Sequence, residues 1–284
     1  MSRFLRSFAW AGAAIFAAAT TASAQEPINA ADSATQPSPG HAIFMEQVRF
    51  LRLDLDETRW DQRGDVDDVI FLSTLNVGVK SNLSLSLRFP ILFRDREFDA
   101  DDSSEREEGI GDVTVLAKWR FLQLDTSPLD TLRVSLIGGA QIRTGDSPFT
   151  TDGYNPILGL AMTKIGGRHG FNGSLEWTFT TVGNEEPVYA GESTADLFRY
   201  DLAYLFRMWP KAYEADTPGA WYAVCELNGL YETNGDNELF LSPGLMYEAT
   251  TWTAELSFQW PAWQRIEHRA EAEFAVVAGV RFSF

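Results

Sequence analysis

The chain contains very little cysteine and very little histidine. Cys225 is the one cysteine among 284 residues, so no intramolecular disulfide can form. The histidines are His41, His169 and His268, and none of them falls on a predicted strand beside a serine. A Ser–His hydrolase needs such a pair within hydrogen-bond reach. We therefore predict no catalytic residue, no cofactor and no metal centre.

Long hydrophobic runs and positive charge are also scarce. Beyond residue 25 no stretch of 18 or more apolar residues occurs, so no transmembrane helix is predicted. The 40 acidic residues outnumber the 23 lysines and arginines, and the net charge of −17 argues against nucleic acid as a partner. The chain is nevertheless 45% hydrophobic and 13% aromatic. These values fit a soluble domain, and they also fit a membrane barrel in which half of each strand faces lipid.

The N-terminus has the three parts of a secretory signal. A short basic start precedes an apolar, alanine-rich run from Phe8 to Thr20, and the small residues Ala22–Ala24 follow. This order predicts a signal peptide over residues 1–24. A transmembrane anchor is the alternative, but the run is short for a membrane span. Residues 25–42 are rich in Ala, Ser, Pro and Gln, and we predict a flexible periplasmic leader there.

From residue 43 to the C-terminus, apolar and polar residues alternate. Leu83, Leu85 and Leu87 alternate with Ser84 and Ser86, for example. Because successive strand side chains point to opposite faces, this period of two predicts strands with one apolar face. Twelve strands are predicted, near residues 43–56, 66–79, 83–93, 112–121, 130–143, 154–164, 171–179, 198–206, 220–232, 238–248, 252–261 and 272–284.

An even number of amphipathic strands after a signal peptide is typical of a bacterial outer-membrane barrel. We predict an all-β fold, in which residues 43–284 form a transmembrane up-and-down antiparallel β-barrel with both termini in the periplasm. The final strand ends on Phe284. A terminal aromatic residue resembles the signal that the outer-membrane barrel assembly machinery recognises, so that machinery is a predicted partner. In a soluble protein the same strand would be an exposed edge prone to aggregation.

Three segments resemble a known family of porin-like outer-membrane transporters, named after the meta-pathway of phenol degradation. They are Gly109–Val113 running into Ala117–Phe121, the segment Leu241–Tyr247, and Leu75–Leu87 around a short turn. The resemblance implies a barrel that carries small hydrophobic or aromatic molecules across the outer membrane.

Charged residues of the polar face would line the lumen of such a barrel. A predicted basic arc comprises Arg88, Lys118, Arg120, Arg133, Arg143 and Lys164. A predicted acidic arc comprises Glu176, Glu226, Glu248, Glu255 and Glu273. Facing arcs would create a transverse field that sorts ions. Mutual salt bridges that fill a narrow lumen are the alternative.

The segment from Phe98 to Glu108 is strongly acidic. Its carboxylates could bind calcium, although their spacing matches no known calcium loop. A solvated loop, bridged to lipopolysaccharide through divalent ions, is the favoured interpretation. Three functions stay open: a channel for small organic solutes, an outer-membrane lipid hydrolase, and a structural or adhesive barrel with a filled lumen.

Overall fold

The computed structural model describes most of the chain downstream of the predicted signal peptide. The described residues are 33–55, 63–99, 103–127, 130–184, 187–214 and 216–284. They form strands and irregular segments, and no helix among them is long and apolar enough to cross a membrane. The predicted signal peptide, residues 1–24, lies outside them.

The described residues contain thirteen strands, and all of them except β4 correspond to predicted strands, with bounds that agree to within a few residues at most ends. Most of β4 lies in the acidic segment that the sequence pattern interpreted as a loop. The strands are β1 (Ala42–Leu55), β2 (Gly64–Lys80), β3 (Leu83–Phe98), β4 (Ser104–Ile110), β5 (Val113–Ser127), β6 (Asp130–Ile142), β7 (Asn155–Gly166), β8 (His169–Thr178), β9 (Leu197–Trp209), β10 (Gly219–Glu232), β11 (Asn237–Ala249), β12 (Trp252–Arg265) and β13 (Glu271–Ser283).

The strands form one closed antiparallel barrel. Each strand pairs with the next one in sequence, except that β5 pairs with β3 and not with β4. The ring closes where β13 pairs with β1, with Phe282 opposite Phe44. Backbone hydrogen bonds in both directions join Phe284 to Ala42, at 2.7 and 3.0 Å. The predicted up-and-down barrel of twelve strands is confirmed, and closure leaves no exposed sheet edge at this seam.

The thirteenth strand arises because one long strand is interrupted. β4 pairs with the outer part of β3, whereas β5 pairs with its first half and with β6. Between β4 and β5, the carboxylate of Asp112 accepts hydrogen bonds from the backbone N–H groups of Thr144, Gly145 and Thr151 at 2.9 to 3.0 Å. Asp112 thus caps the β6–β7 loop instead of continuing the ladder, and the strand breaks at this residue.

The two faces of the barrel differ as the alternation predicts. Leu85 is 46% exposed on the outer face, and its neighbour Ser86 is 8% exposed on the inner face. Exposed leucine, phenylalanine and tryptophan side chains recur on the outside of strands around the barrel. An outer apolar band around a closed barrel is the surface that lipid requires.

The connections distinguish two ends of the barrel. Short turns, such as residues 81–82 and 250–251, lie at the end where β1 begins and β13 ends, which we call the turn end. Most longer connections lie at the opposite end, the loop end. Two connections depart from this rule, as the sequence pattern indicates: residues 210–218 are long at the turn end, and residues 233–236 are short at the loop end.

Candidate functional site: the barrel lumen

Charged side chains from separate strands meet inside the lumen. Arg88 of β3 and Glu176 of β8 both point inward, and their side chains form an ion pair at 3.7 Å. The strand order places β3 and β8 on well-separated parts of the ring. The pair therefore spans the lumen, and at this height one basic-arc residue meets one acidic-arc residue directly.

A buried amide network lies beside this pair. The Asn228 side chain donates to Glu226 at 3.0 Å and to Asp201 at 3.1 Å. Its carbonyl oxygen accepts from Ser242 at 2.6 Å and from Gln259 at 3.3 Å. All five residues are buried inner-face residues of β9 to β12. Paired polar groups of this kind fix side-chain positions, because a broken bond would leave a buried group unsatisfied.

At the loop end, part of the β8–β9 connection folds into the barrel. We call residues 187–193 the strap. Val188 of the strap belongs to an apolar cluster on the inner face, against which Tyr189 packs. The other members of this apolar cluster are Leu51, Leu53, Leu55, Val66, Phe240, Ala270, Ala272 and Ala275.

Two arginine–carboxylate groups hold the loop end together. Arg94 pairs with Asp68 at 2.8 Å and with Glu192 of the strap at 3.1 Å. Arg269 pairs with Glu232 at 2.8 Å and with Glu238 at 3.1 Å. Five of these six side chains are no more than 4% exposed, and the sixth, Glu192, is 8% exposed. Each buried cation thus has two carboxylate partners.

The strap itself carries perturbed titratable groups. Burial raises the pKa of Glu192, and the Arg94 guanidinium and the N–H of Val188 oppose that shift. Burial also raises the pKa of Tyr189, with a further contribution from the nearby Glu192 charge. Both shifts follow from packing charged or ionisable groups away from water.

At the turn end, the segment before β1 enters the lumen. The hydroxyl of Thr163 lies 2.9 Å from that of Ser33 and accepts the N–H of Ala34 at 3.0 Å. Lys118 donates to the Ser33 carbonyl at 2.6 Å, and Ser135 donates to the Ala34 carbonyl at 3.3 Å. Residues 33–36 of the predicted leader thus have hydrogen-bond partners inside the lumen, which inner-face hydroxyls and the backbone and side chain of Lys118 supply. The flexibility of the leader stays a prediction. Residues 25–32 lie outside the described part of the chain.

The predicted basic arc is only partly a lumen feature. Lys118 points inward and binds the leader, and Arg120 donates to the Ser81 carbonyl at the turn end. Arg133 points inward, donates to Thr131 at 3.2 Å and lies 3.9 Å from Asp125.

Two predicted basic-arc residues lie elsewhere. Arg143 follows the last residue of β6 and forms an exposed ion pair with Asp152 at 2.8 Å. Lys164 is on the outer face of β7, in line with Leu158, Leu160 and Met162. It lies two residues from the turn end, where a lysine stem can cross the apolar band and its ammonium can reach water. These two predictions are wrong.

The acidic arc is inner-face at four of its five positions. Glu176 and Glu226 are described above, Glu255 is buried on the inner face of β12, and Glu248 lies 3.9 Å from Arg281. Glu273 is exposed on the outside. The ladder between β1 and β13 shifts register at Ala272–Phe274. This bulge reverses the alternation, so the prediction for Glu273 is wrong.

Several lumen residues were not predicted from the sequence. Four of them follow the alternation of predicted strands and lie on the inner face: Arg94, Arg199, Arg207 and Arg281. Applying the same alternation to these positions would have predicted them. Glu192 and Tyr189 gave no such signal, because they belong to a loop.

Histidine contacts are also defined. The Nδ1 atom of His169 lies 2.8 Å from the Tyr204 hydroxyl, at the turn end. The Nδ1 atom of His268 lies 3.0 Å from Asp236, whose carboxylate also accepts the N–H groups of Glu267 and His268. Within the described ranges, no group of three or more His, Cys, Asp or Glu residues is arranged to hold a metal ion.

Solved structures share this fold. No protein-family model matches the chain, and no curated protein matches its sequence. An outer-membrane channel from Pseudomonas putida F1 superposes with a TM-score of 0.57 and 13% identity, covering 91% of this chain and 99% of that one. The β domain of the Bordetella autotransporter BrkA gives a TM-score of 0.51 and 13% identity, covering 86% and 99%. The chain therefore has the fold of an outer-membrane β-barrel.

Proposed function

We propose that this protein is an outer-membrane channel that lets small apolar or aromatic solutes cross into the periplasm. One observation carries the proposal: an apolar cluster, including Leu51, Leu53 and Phe240, lines the inside of the barrel at the loop end. The lumen of a water-filled porin is polar. An apolar inner wall suits an apolar solute, because burying the apolar surface of the solute against that wall favours its entry.

The comparison with solved structures supports the same function. The channel from Pseudomonas putida F1 is described as an outer-membrane channel, and nearly all of its length matches this barrel. The segment Gly109–Val113, which resembles the transporters of the phenol meta-pathway, contains the break between β4 and β5. We propose membership of that family on these two grounds, and we propose that the protein is not an enzyme.

The proposed partners follow from the location. Phe284, beside Ala42 at the seam, would be read by the barrel assembly machinery, and the signal peptide would direct export before cleavage. Glu105, Glu107 and Glu108 of β4 lie at the loop end. There they would meet lipopolysaccharide through bridging divalent ions.

Uptake of an apolar solute tests the function. A Gram-negative host that lacks its own hydrophobic-solute channels is given this gene, and the rate of toluene uptake is measured. We expect faster uptake than in the empty host. Ala275→Trp fills the inner apolar cluster and should abolish the gain, whereas Ala278→Trp on the outer face of the same strand should preserve it. Heat-modifiable migration verifies that both variants assemble, and uptake equal to that of the empty host would contradict the proposal.

A structural or adhesive barrel is the second candidate. It is favoured by the segments inside the lumen, the strap at one end and residues 33–36 at the other. Planar bilayers separate the two functions. A channel opens and gives current steps, while a permanently filled barrel gives none and leaves uptake unchanged.

A further inference from the structure

Arg49 differs from the other lumen arginines near the loop end. Arg94 and Arg269 each pair with two carboxylates. Arg49 points inward from β1, opposite Val277 and Ile70 in the ladders. Its Nε–H is buried and has no hydrogen-bond acceptor among the residues that the structure describes. A buried donor without an acceptor is destabilising, so the Nε–H of Arg49 is a binding group that lacks its acceptor.

The surroundings of Arg49 are apolar on one side. The guanidinium carbon lies 5.8 Å from the centre of the Phe240 ring. A cavity of about 20 Å³ adjoins it, lined by Leu51, Leu53 and Leu230 as well as by Arg49 and Phe240. A guanidinium beside leucine and phenylalanine side chains suits a molecule with an apolar body and a charged end.

The acidic residues that act on Arg49 already have arginine partners, and one of them, Asp68, is bound to Arg94. Glu238 acts on Arg49 electrostatically, but its carboxylate is already bound to Arg269. Arg199 projects from β9, and its positive charge opposes that of Arg49. A carboxylate that entered would meet a guanidinium whose donors match it in a planar, bidentate geometry.

The strap occupies the remaining space. Tyr189 and Ala190 line the same cavity, and its present volume suits about one water molecule. Tyr189 places an aromatic ring and a hydroxyl beside Arg49. The side chain therefore occupies the position that the aromatic ring and polar group of a solute would take. A solute with an aromatic ring needs the place that Tyr189 holds, so its binding requires the strap to move aside.

We infer that the preferred solutes are small aromatic or short-chain carboxylates, with the carboxylate on Arg49 and the apolar body against Phe240 and Leu53. This inference rests on the proposed channel function and narrows its solute class. The neutral counterpart of such a solute would keep the apolar contacts and lose the ion pair.

Calorimetry on the refolded full-length mature barrel in detergent tests the inference, with sodium benzoate and benzamide as probes at pH 7.5. We expect benzoate to bind at least about tenfold more tightly than benzamide, which corresponds to about 1.4 kcal/mol. Arg49→Gln should remove that preference and leave benzamide unchanged. Arg52→Gln is the matched control, because Arg52 lies on the same strand but faces outward and pairs with Asp67 at 2.7 Å.

Each outcome decides. Equal affinities for the two probes, or a benzoate preference that survives Arg49→Gln, would overturn the inference. If Arg49→Gln fails to fold, Arg49→Lys keeps the charge but loses the planar fork, and it should show an intermediate preference. Phe240→Ala should weaken both probes. If cells take up toluene but the barrel shows no preference for benzoate, the channel function is supported and the carboxylate inference is wrong. If the barrel prefers benzoate but cells show no uptake, the channel function is wrong and the carboxylate site at Arg49 is supported.

Discussion

The two ends of the lumen are closed in different ways. At the loop end, Arg94 and Arg269 are buried, and each is bound by two carboxylates. One of these four carboxylates, Glu192 on Arg94, comes from the strap. At the turn end, the segment from Ser33 to Gln36 is held by hydroxyl groups, backbone groups and Lys118. The loop end is thus stabilised by charge pairs that exclude water, and the turn end mainly by hydrogen bonds, several of them between uncharged groups.

This difference predicts which of the two segments inside the lumen, the strap or residues 33–36, can be released more easily. Breaking a buried ion pair leaves an uncompensated charge and costs about 3–5 kcal/mol. A single neutral hydrogen bond contributes about 0.5–1.5 kcal/mol. The leader segment should therefore be released from the lumen while the barrel stays intact, whereas losing the loop-end pairs should weaken the barrel itself.

The largest effect is expected at the seam of the turn end. Deleting Phe284 removes the terminal aromatic residue and its two backbone hydrogen bonds to Ala42. We expect most of the protein to be exported but not inserted, because the signal peptide acts separately from the assembly signal. Heat-modifiable migration of membrane fractions measures this, and normal insertion would rule out the assembly role.

Next in size is the loss of a loop-end charge. Arg94→Met should lower the free energy of unfolding by about 3–5 kcal/mol, since Asp68 and Glu192 would stay buried without a cation. Urea unfolding in lipid vesicles is the measurement. Arg106→Met, at a largely exposed ion pair with Asp95, should change stability by no more than about 0.5 kcal/mol. Similar losses for both variants would show that the loop end is not specially stabilised.

A third change compares the two faces of one strand. Leu85→Arg places a cation in the apolar band and should cost about 2–4 kcal/mol near the middle of the membrane. Ser86→Arg points into the lumen and should cost clearly less. Unfolding of both variants in the same vesicles tests the assignment, which equal losses would contradict.

A smaller effect is expected for the leader segment. Thr163→Val removes the hydroxyl that contacts Ser33, Ala34 and Asn172, and should cost about 1–3 kcal/mol. The segment should then leave the lumen and become sensitive to added protease at the turn end. Thr250→Val, in an exposed turn at the same end, is the control. Unchanged protease resistance of the Thr163 variant would mean that other contacts hold the segment.

The smallest effect on stability is expected for substitutions that change ion selectivity. Their effects on the reversal potential should have opposite signs. Neutralising Lys118 and Arg120 together should shift the reversal potential toward cations, and neutralising Glu226 and Glu255 should shift it toward anions. Lumen charges act across the constriction, and added salt weakens them as the screening length falls to about 10 Å at 0.1 M. Shifts of the same sign would indicate a general loosening of the barrel.

The sequence pattern predicts most of the fold but only part of the lumen. Alternation at Leu85 and Ser86 identifies inner and outer faces, because the period of a strand is a property of the local backbone. The pattern was wrong where the backbone departs from that period or from its assumed length: at Glu273 a bulge intervenes, and at Arg143 the strand has already ended. Lys164 was assigned to the inner face because it is polar. Its spacing from Leu158 and Leu160 places it on the outer face with them.

The amino-acid sequence by itself determined most of the strands and their two faces, since both follow from alternation along a single strand. Closure into a barrel was predicted from the even number of such strands and from the exposed edge that an open sheet would leave. Only the tertiary structure decided which lumen charges meet. Arg88 and Glu176, or Arg94 and Glu192, are far apart in the chain, and they approach each other only when the ring closes in one register and the strap folds inward. The unsatisfied Nε–H of Arg49 has the same origin, because a donor lacks an acceptor only in relation to the groups that the fold brings around it.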